Sequence, residues 1–282
     1  MGYEVELNEA QQMIAALEAK GERHPVNYMG RQVMWRRFGT GTPLVLLHGG
    51  HGSWLHWVRN IEALSTCRSV WVLDMPGYGD SDALDRGAGL KDMLAALMAM
   101  LDELFGDEHE IDLGGFSFGG FIASNLAVRR DTVRSLFTVG SGGHGGPRRE
   151  TRTMINWRRS KTDEEREAAM RHNLEVHMLS RPENVDELAL AIQTWSCVNT
   201  RFRSKEISRS GKLNDVLAKR DLPVFLLWGS EDVTAEPTFI IEHLTRGHPL
   251  RSGRIIEGAG HWAQYERADE VNDALLGWLA RP

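Results

Sequence analysis

Short apolar runs bounded by turn-forming residues alternate with longer segments of helical periodicity along this chain. This alternation is typical of a parallel sheet covered by helices. A Gly, Asp, Ser or His stands at or just after the end of each run, and ligands of open α/β sheets bind beyond these carboxyl ends. The runs that we interpret as buried strands are PLVLLHGG (43–50), SVWVLDMPG (69–77), EIDLGGF (110–116), VRSLFTVGSGG (133–143), LPVFLLWGSED (222–232) and SGRIIEGAG (252–260).

Two segments depart from the alternation. Residues 24–41 have the polar–apolar pattern of a hairpin that turns at Met29 and Gly30, and we expect it to be antiparallel at the sheet edge. About 80 residues then separate the run ending near Val139 from the run beginning near Leu222, which is far more than an ordinary connection.

The long connection opens with the glycine-rich GSGGHGGPRRE and continues with helical stretches, one of which begins with a Thr162–Glu165 capping box. We therefore predict an α/β fold with a mostly parallel central sheet flanked by helices and a helical cap inserted after strand 6. The predicted cap spans residues 144–218, and the core consists of 1–143 and 219–282.

Composition and charge argue against several classes of function. The 282 residues are 41% hydrophobic and 26% charged, as in soluble globular domains. A net charge of −6 argues against a nucleic-acid binder that depends on phosphate neutralisation, and no apolar stretch is long enough to span a membrane. Cys67 and Cys197 are too far apart for a disulfide framework or zinc-site spacing, which favours a reducing compartment.

The N-terminal MGYEVELNEAQQMIAALEAK lacks the basic and apolar regions of a signal peptide. Glu6 stands where a myristoylation signal needs Ser or Thr. We expect a cytoplasmic protein that acts on a small molecule and has no nucleic-acid or membrane partner. The sequence leaves open whether it is a monomer or a homo-oligomer.

A nucleophile motif follows the third parallel run. Gly115-Phe116-Ser117-Phe118-Gly119 fits G-x-S-x-G, in which small flanking residues let the serine stand on a sharp strand-to-helix turn. A serine hydroxyl needs an adjacent base, itself oriented by a carboxylate. Asp232 and His261 follow the last two runs in the required order, so the three residues together predict a catalytic triad.

An oxyanion hole requires two backbone N–H donors. Phe118, the residue after the nucleophile, supplies one, and LLHGGHGSW (46–54) supplies glycines for the other. Gly50 is the preferred donor and His51 the second candidate.

These motifs, with DMPGYGDSD (74–82) and GAGHWAQYE (258–266), make the chain resemble the α/β-hydrolase family over essentially its whole length. Within that family it is most similar to carbon–carbon bond hydrolases of meta-ring-fission products, and to related carboxylesterases. The resemblance implies a serine-dependent hydrolase without cofactor or metal. Those hydrolases commonly have Asn at the positions matching Phe116 and His56, and their cap arginine, which holds a substrate carboxylate, has Arg201 and Arg203 as candidates here.

The predicted substrate is therefore small and aromatic-derived or carboxylate-bearing, cleaved at an ester or carbon–carbon bond. Predicted substrate-binding residues are His51, His56, Phe116, Trp195 and Trp262. A carboxylesterase or lactonase without carbon–carbon activity is the alternative, and a ligand receptor or a cofactor-free dioxygenase on the same fold are alternatives of other classes.

Three further patterns are assigned no chemistry. GSGGHG (140–145) matches a dinucleotide fingerprint but lacks the early βαβ unit and the acidic residue that such a site needs. His48, His51 and His56 lack metal-triad spacing. The basic run from Arg148 to Lys161 is interpreted as a solvated cap face, with attraction of anionic substrates as the sharper alternative.

Overall fold

The computed structural model describes residues 8–281, and the N-terminal residues bearing Glu6 lie outside this range. Eight strands form one sheet in the order β1-β2-β4-β3-β5-β6-β7-β8. Their bounds are β1 Glu22–Tyr28, β2 Arg31–Phe38, β3 Pro43–Leu47, β4 Ser69–Leu73, β5 Ile111–Phe116, β6 Val133–Val139, β7 Val224–Gly229 and β8 Arg251–Ile256.

The pairing confirms a mostly parallel sheet. β1 and β2 form the antiparallel hairpin at one edge, and β2 also pairs antiparallel with β4. Every later pair, from β3–β4 to β7–β8, is parallel. The carboxyl ends of β3 to β8 therefore lie along one edge of the sheet, where the loops after β5, β7 and β8 meet.

Helices cover both faces of this sheet. Their bounds are α1 Glu9–Glu18, α2 Ile61–Ser65, α3 Leu90–Phe105, α4 Phe118–Ala127, α5 Asp163–Asn173, α6 Glu187–Val198, α7 Lys205–Ser208, α8 Leu213–Leu217, α9 Pro237–Thr245, α10 Ala263–Glu266 and α11 Ala268–Leu279. Short 3₁₀ turns cover 54–57, 157–159 and 182–184, and Leu174–Met178 forms a π-helical turn.

Alternation along the strands divides the core in two. In β3, Leu44 and Leu46 pack into one apolar cluster, whereas Val45 and Leu47 pack into the other. This period of two is what a strand covered on both faces requires. The nucleophile strand β5 is buried at every position, so its end is rigidly held.

The segment between β6 and β7 is helical, as predicted for a cap inserted after strand 6. It contains α5 to α8 and the π-helical turn. Thr162 caps α5 by accepting the N–H of Glu165 at 3.2 Å. The expected reciprocal bond is different, because the Glu165 carboxylate accepts from the N–H of Lys161 rather than from that of Thr162. The exact division at 143/144 and 218/219 stays a prediction.

Between residues 8 and 281, no helix combines the length and apolar character needed to cross a bilayer.

Candidate active site

Three strand ends bring the predicted triad residues together. Ser117 follows β5 directly, Asp232 lies in the loop after β7, and His261 lies in the loop after β8. His261 Nε2 is 2.9 Å from Ser117 Oγ, and His261 Nδ1 is 2.8 Å from Asp232 Oδ2. These distances make a continuous hydrogen-bonded chain from the hydroxyl through the imidazole to the carboxylate.

Ser117 occupies a strained turn. Its backbone has φ 51° and ψ −115°, a region that residues with a side chain rarely adopt. The flanking glycines allow the turn: a Cβ on Gly115 would lie 2.3 Å from Gly119 O, and one on Gly119 would lie 2.3 Å from His48 O. The G-x-S-x-G spacing is therefore a steric requirement of the contact between strand and helix.

Asp232 is fully buried and held by more than His261. Its Oδ1 accepts the N–H of Thr234 at 2.7 Å, and the Thr234 hydroxyl is 3.2 Å from His261 Nδ1. Burial raises the pKa of Asp232, but the charge and hydrogen bond of His261 and the bonds from Thr234 outweigh it and leave the pKa below its usual value. The carboxylate is thus ionised and oriented toward the imidazole. Thr234 was missed from the sequence, although a turn residue two positions after Asp232 was a usable signal.

The loop after β3 approaches the nucleophile turn. A Cβ built on Gly50 would lie 3.8 Å from Phe118 Cβ, so the two predicted N–H donors come from adjacent segments. Neither N–H donates to another residue of the described range. Both are therefore available to a ligand oxygen.

Two buried histidines hold the peptide before Gly50. His56 Nδ1 accepts the N–H of Gly49 at 3.1 Å. Because His48 Nε2 accepts from Met75 N–H, its Nδ1 carries the proton and donates to Gly49 O at 2.7 Å. Burial lowers the pKa of His48 to about 4 and that of His56 well below its usual value, so both act as neutral hydrogen-bonding groups.

A cavity of about 510 Å³ opens above Ser117, between the sheet edge and the cap. His51 and Phe116, two of the predicted substrate-binding residues, belong to its wall. The GSGGHG segment supplies Gly140 to Gly142 and His144 to the same wall. Its Gly142 N–H donates to Ser117 O at 2.8 Å, so this segment supports the nucleophile turn.

The other predicted substrate-binding residues do not reach the cavity. His56 and Trp262 are buried beneath it, with Trp262 Nε1 donating to His56 O at 2.9 Å. Trp195, on the cap helix α6, is half-buried and packs against an apolar cluster shared by the sheet and the cap. These three predictions are corrected, because none of the three rings is among the residues that line the cavity.

Cationic side chains from the cap lie around the cavity, and no Asp or Glu is among its lining residues. Arg201, an expected carboxylate-binding candidate, instead donates to the backbone oxygens of Gly79 and Ser81, and neither it nor Arg203 is a lining residue. The cavity cations are Arg148, Arg158, Lys205 and Arg209.

Two of these arginines belong to the basic run that was interpreted mainly as a solvated face. Arg148 and Arg158 are exposed at the mouth, and Arg158 stacks over the Trp157 ring at 4.3 Å. Partial burial of its guanidinium and the charge of the nearby Arg209 lower the pKa of Arg148, and both arginines line the same cavity. Within residues 8–281, no group of three or more His, Cys, Asp or Glu is arranged to hold a metal ion.

Comparisons with known proteins agree with this architecture. The dihydrolipoyllysine-residue acetyltransferase component of an acetoin cleaving system from Pseudomonas putida is 31% identical over 271 residues, covering 89% of this chain and 68% of that protein. The 2-hydroxy-6-oxononadienedioate/2-hydroxy-6-oxononatrienedioate hydrolase of Escherichia coli K12 is 27% identical over 266 residues, covering 85% and 87%.

Solved structures share the fold at lower identity. A carboxylesterase from Bacillus subtilis superposes with a TM-score of 0.76 at 19% identity, covering 96% of this chain and 95% of that one. The model of the alpha/beta hydrolase family matches residues 44–274. The chain therefore belongs to the alpha/beta hydrolase family, the family of hydrolytic enzymes that its sequence motifs predict.

Proposed function

We propose that this enzyme is a serine hydrolase in which Ser117 is the nucleophile, His261 the base and Asp232 the residue that orients it. The observation that carries the proposal is the hydrogen-bonded chain of 2.9 Å and 2.8 Å joining the three side chains. The positive φ of Ser117 supports it, because backbone strain of this kind concentrates at functional sites.

The mechanism follows from these contacts. His261 Nε2 removes the hydroxyl proton as Ser117 Oγ attacks the substrate carbonyl, and the N–H groups of Gly50 and Phe118 stabilise the oxygen that becomes negative. Asp232 stabilises the imidazolium. His261 then transfers the proton to the departing group, and water releases the acyl group from Ser117 by the reverse sequence of steps.

The charges at the mouth favour a small anionic substrate. Arg148, Arg158, Lys205 and Arg209 face a cavity whose lining residues include no carboxylate. Guanidinium groups bind carboxylates through paired hydrogen bonds, and a single-sign field raises the local concentration of the opposite charge. A carboxylate at the mouth places the rest of a short substrate over Ser117.

The bond cleaved is an ester or a carbon–carbon bond. The named relatives include dienedioate hydrolases, and the structural neighbours include carboxylesterases. In the carbon–carbon route the substrate dienol must be protonated before attack, and His261 is the donor within reach. A carboxylesterase or lactonase shares every other step.

A direct test compares the wild type with Ser117→Ala and His261→Ala on p-nitrophenyl esters of graded acyl length and on a coloured ring-fission product. Both variants should lose activity by several orders of magnitude while keeping the melting temperature of a folded protein. Organophosphonate labelling of Ser117 supplies an independent readout. The ratio of ester to ring-fission turnover decides which bond is the natural target.

Two outcomes would overturn the proposal. Full activity in Ser117→Ala would favour a cofactor-free dioxygenase, in which the His–Asp pair alone acts. Tight ligand binding without labelling or turnover would favour a receptor on the same fold.

A further inference from the structure

The mechanism proposed for Ser117 makes no use of His177, which lines the same cavity from the cap. The centroid of its ring is 5.6 Å from that of His261. Neither ring nitrogen forms a hydrogen bond within the described chain, and neither is sealed from solvent. Both nitrogens are therefore open to the cavity, and this imidazole is available to a bound molecule.

The position of His177 is built into the fold. It lies in the π-helical turn Leu174–Met178, which closes with a bond of 2.9 Å from Leu179 N–H to Leu174 O. Such turns disturb the regular helix ladder and are frequent at functional sites. The turn brings a cap histidine to the wall beside the catalytic histidine.

Contacts between the cap and the loop that bears His261 fix the positions of the two imidazole rings relative to each other. Met178 O accepts the N–H of Trp262 at 2.8 Å, one residue after each histidine. The Ser180 hydroxyl donates to Gly258 O at 3.1 Å. A Cβ on Gly260 would lie only 2.7 Å from the Leu179 carbonyl carbon, so the two backbones are in direct contact.

The surroundings keep His177 uncharged. Its pKa is lowered to about 4, mainly by burial and also by the nearby His261, Arg148 and Arg209, while only Asp232 raises it. A neutral imidazole offers one N–H donor and one acceptor nitrogen. Near neutral pH His177 therefore donates a hydrogen bond without giving up a proton.

We propose that His177 is a further catalytic residue, one that donates a hydrogen bond to the departing group of the substrate; this inference rests on the proposed function of Ser117. The departing group must lie beside His261 Nε2 to receive its proton, and His177 flanks that position. As the bond from Ser117 Oγ to the acyl carbon forms, the bond from that carbon to the departing oxygen breaks. The proton comes from His261, while the N–H of His177 stabilises the negative charge on the departing oxygen.

A hydrogen-bond donor at this position favours substrates whose departing oxygen is basic, such as that of an alkyl alcohol or an enolate, over substrates that release an activated phenol. The test measures kcat/KM for the p-nitrophenyl, phenyl and ethyl esters of one acid with wild type, His177→Phe and His172→Phe. His172 is the matched control, because it lies on α5 just before this turn, donates its Nε2–H to Thr153 O at 2.9 Å, and is not a lining residue.

His177→Phe should reduce kcat/KM for the ethyl ester by about 10- to 100-fold. The p-nitrophenyl ester should lose less than about threefold, since its departing anion needs little stabilisation. His172→Phe should match the wild type on all three esters. Asn and Gln at 177 carry an amide N–H near the Nδ1 and Nε2 positions, so one of them should restore the ethyl ester rate and identify the donor nitrogen.

Equal losses on all three esters would overturn the inference, because they would mean that His177 only supports the structure. An unchanged dependence on the departing group would overturn it as well. Failure of the proposed function is recognised separately, since Ser117→Ala would then retain turnover whatever residue stands at 177. If His177→Phe does not fold, the Asn and Gln variants carry the same comparison.

Discussion

Glu266 connects the cap to the loop that bears His261, and its replacement tests how far catalysis depends on that connection. One carboxylate oxygen accepts from Ser180 N–H at 2.8 Å and from the Ser180 hydroxyl at 2.7 Å, and it also accepts from the Asn184 amide. The other accepts from Gly260 N–H at 2.6 Å, immediately before His261. A single side chain thus pairs donors from both sides of the active site.

Glu266→Gln keeps the shape but exchanges one oxygen for an NH₂ group. If the remaining oxygen stays with Ser180, the new N–H faces the N–H of Gly260, and two donors oppose each other. A hydrogen bond to a charged group contributes about 1.5–3 kcal/mol, and the half-buried site lets water replace part of it. We expect a loss of about 2 kcal/mol in unfolding free energy.

That loss corresponds to a fall of roughly 3–4 °C in melting temperature for a chain of this size. Movement of His261 away from Ser117 should lower kcat/KM by about 10- to 100-fold. Thermal denaturation and p-nitrophenyl ester kinetics measure the two effects.

Glu270→Gln is the matched control, because Glu270 makes one exposed ion pair of 3.0 Å with Arg254. It should cost less than about 0.5 kcal/mol. If Glu266→Gln behaved like this control in both assays, the reasoning about the connection would be refuted.

Three other predictions follow from the site and its support. Gly119→Ala places a Cβ 2.3 Å from the backbone oxygen of His48, in the loop after β3, and should lower kcat at least about tenfold. Gly277→Ala is the control, because its Cβ has open space around it, and it should leave kcat unchanged. Equal kinetics in the two variants would contradict the steric argument. Arg148→Gln combined with Arg209→Gln should raise KM about tenfold for an ester bearing a carboxylate and little for a neutral ester, with a weaker salt dependence than wild type; a parallel rise for both esters would argue against anion binding. The buried His48 has its pKa lowered from 6.5 to about 4, so the unfolded state takes up its proton first as pH falls, and its contribution to stability is complete above pH 6.5 and is lost toward pH 4. Urea denaturation at a series of pH values gives the unfolding free energy as a function of pH. In this range that free energy should fall with decreasing pH more steeply in the wild type than in His48→Gln, by about 1.4 kcal/mol per pH unit. Identical slopes would exclude the effect.

The residues that the sequence places after strand ends are the ones whose proximity could be predicted from it. Ser117, Asp232 and His261 follow three parallel strands, and the carboxyl ends of such strands lie at one edge of the sheet. The order along the chain was therefore enough to expect them close together. The need for glycine at Gly115 and Gly119 could be predicted as well, because the turn between strand and helix has no room for a side chain.

The predictions that failed depended on the direction in which a side chain points rather than on where its residue lies along the chain. His56 and Trp262 lie near the site in sequence terms, but a 3₁₀ turn and the loop after β8 point their rings into the core. Arg201 lies in the expected region of the cap, yet its guanidinium binds the backbone of the loop after β4. No periodicity in a short turn distinguishes these orientations.

The sequence by itself determined the alternation of strands and helices that a parallel sheet needs, the G-x-S-x-G turn, and the places of Asp232 and His261 after later strands, since each depends on local pattern and on backbone sterics. Only the tertiary structure decided what faces Ser117 from the cap. His177, Arg148 and Arg209 reach the cavity because hydrogen bonds between distant segments, such as those of Glu266, dock the cap on the sheet edge. The bonds from Ser180 and Asn184 to Glu266 join residues more than eighty positions apart, and a local pattern carries no information about such pairings.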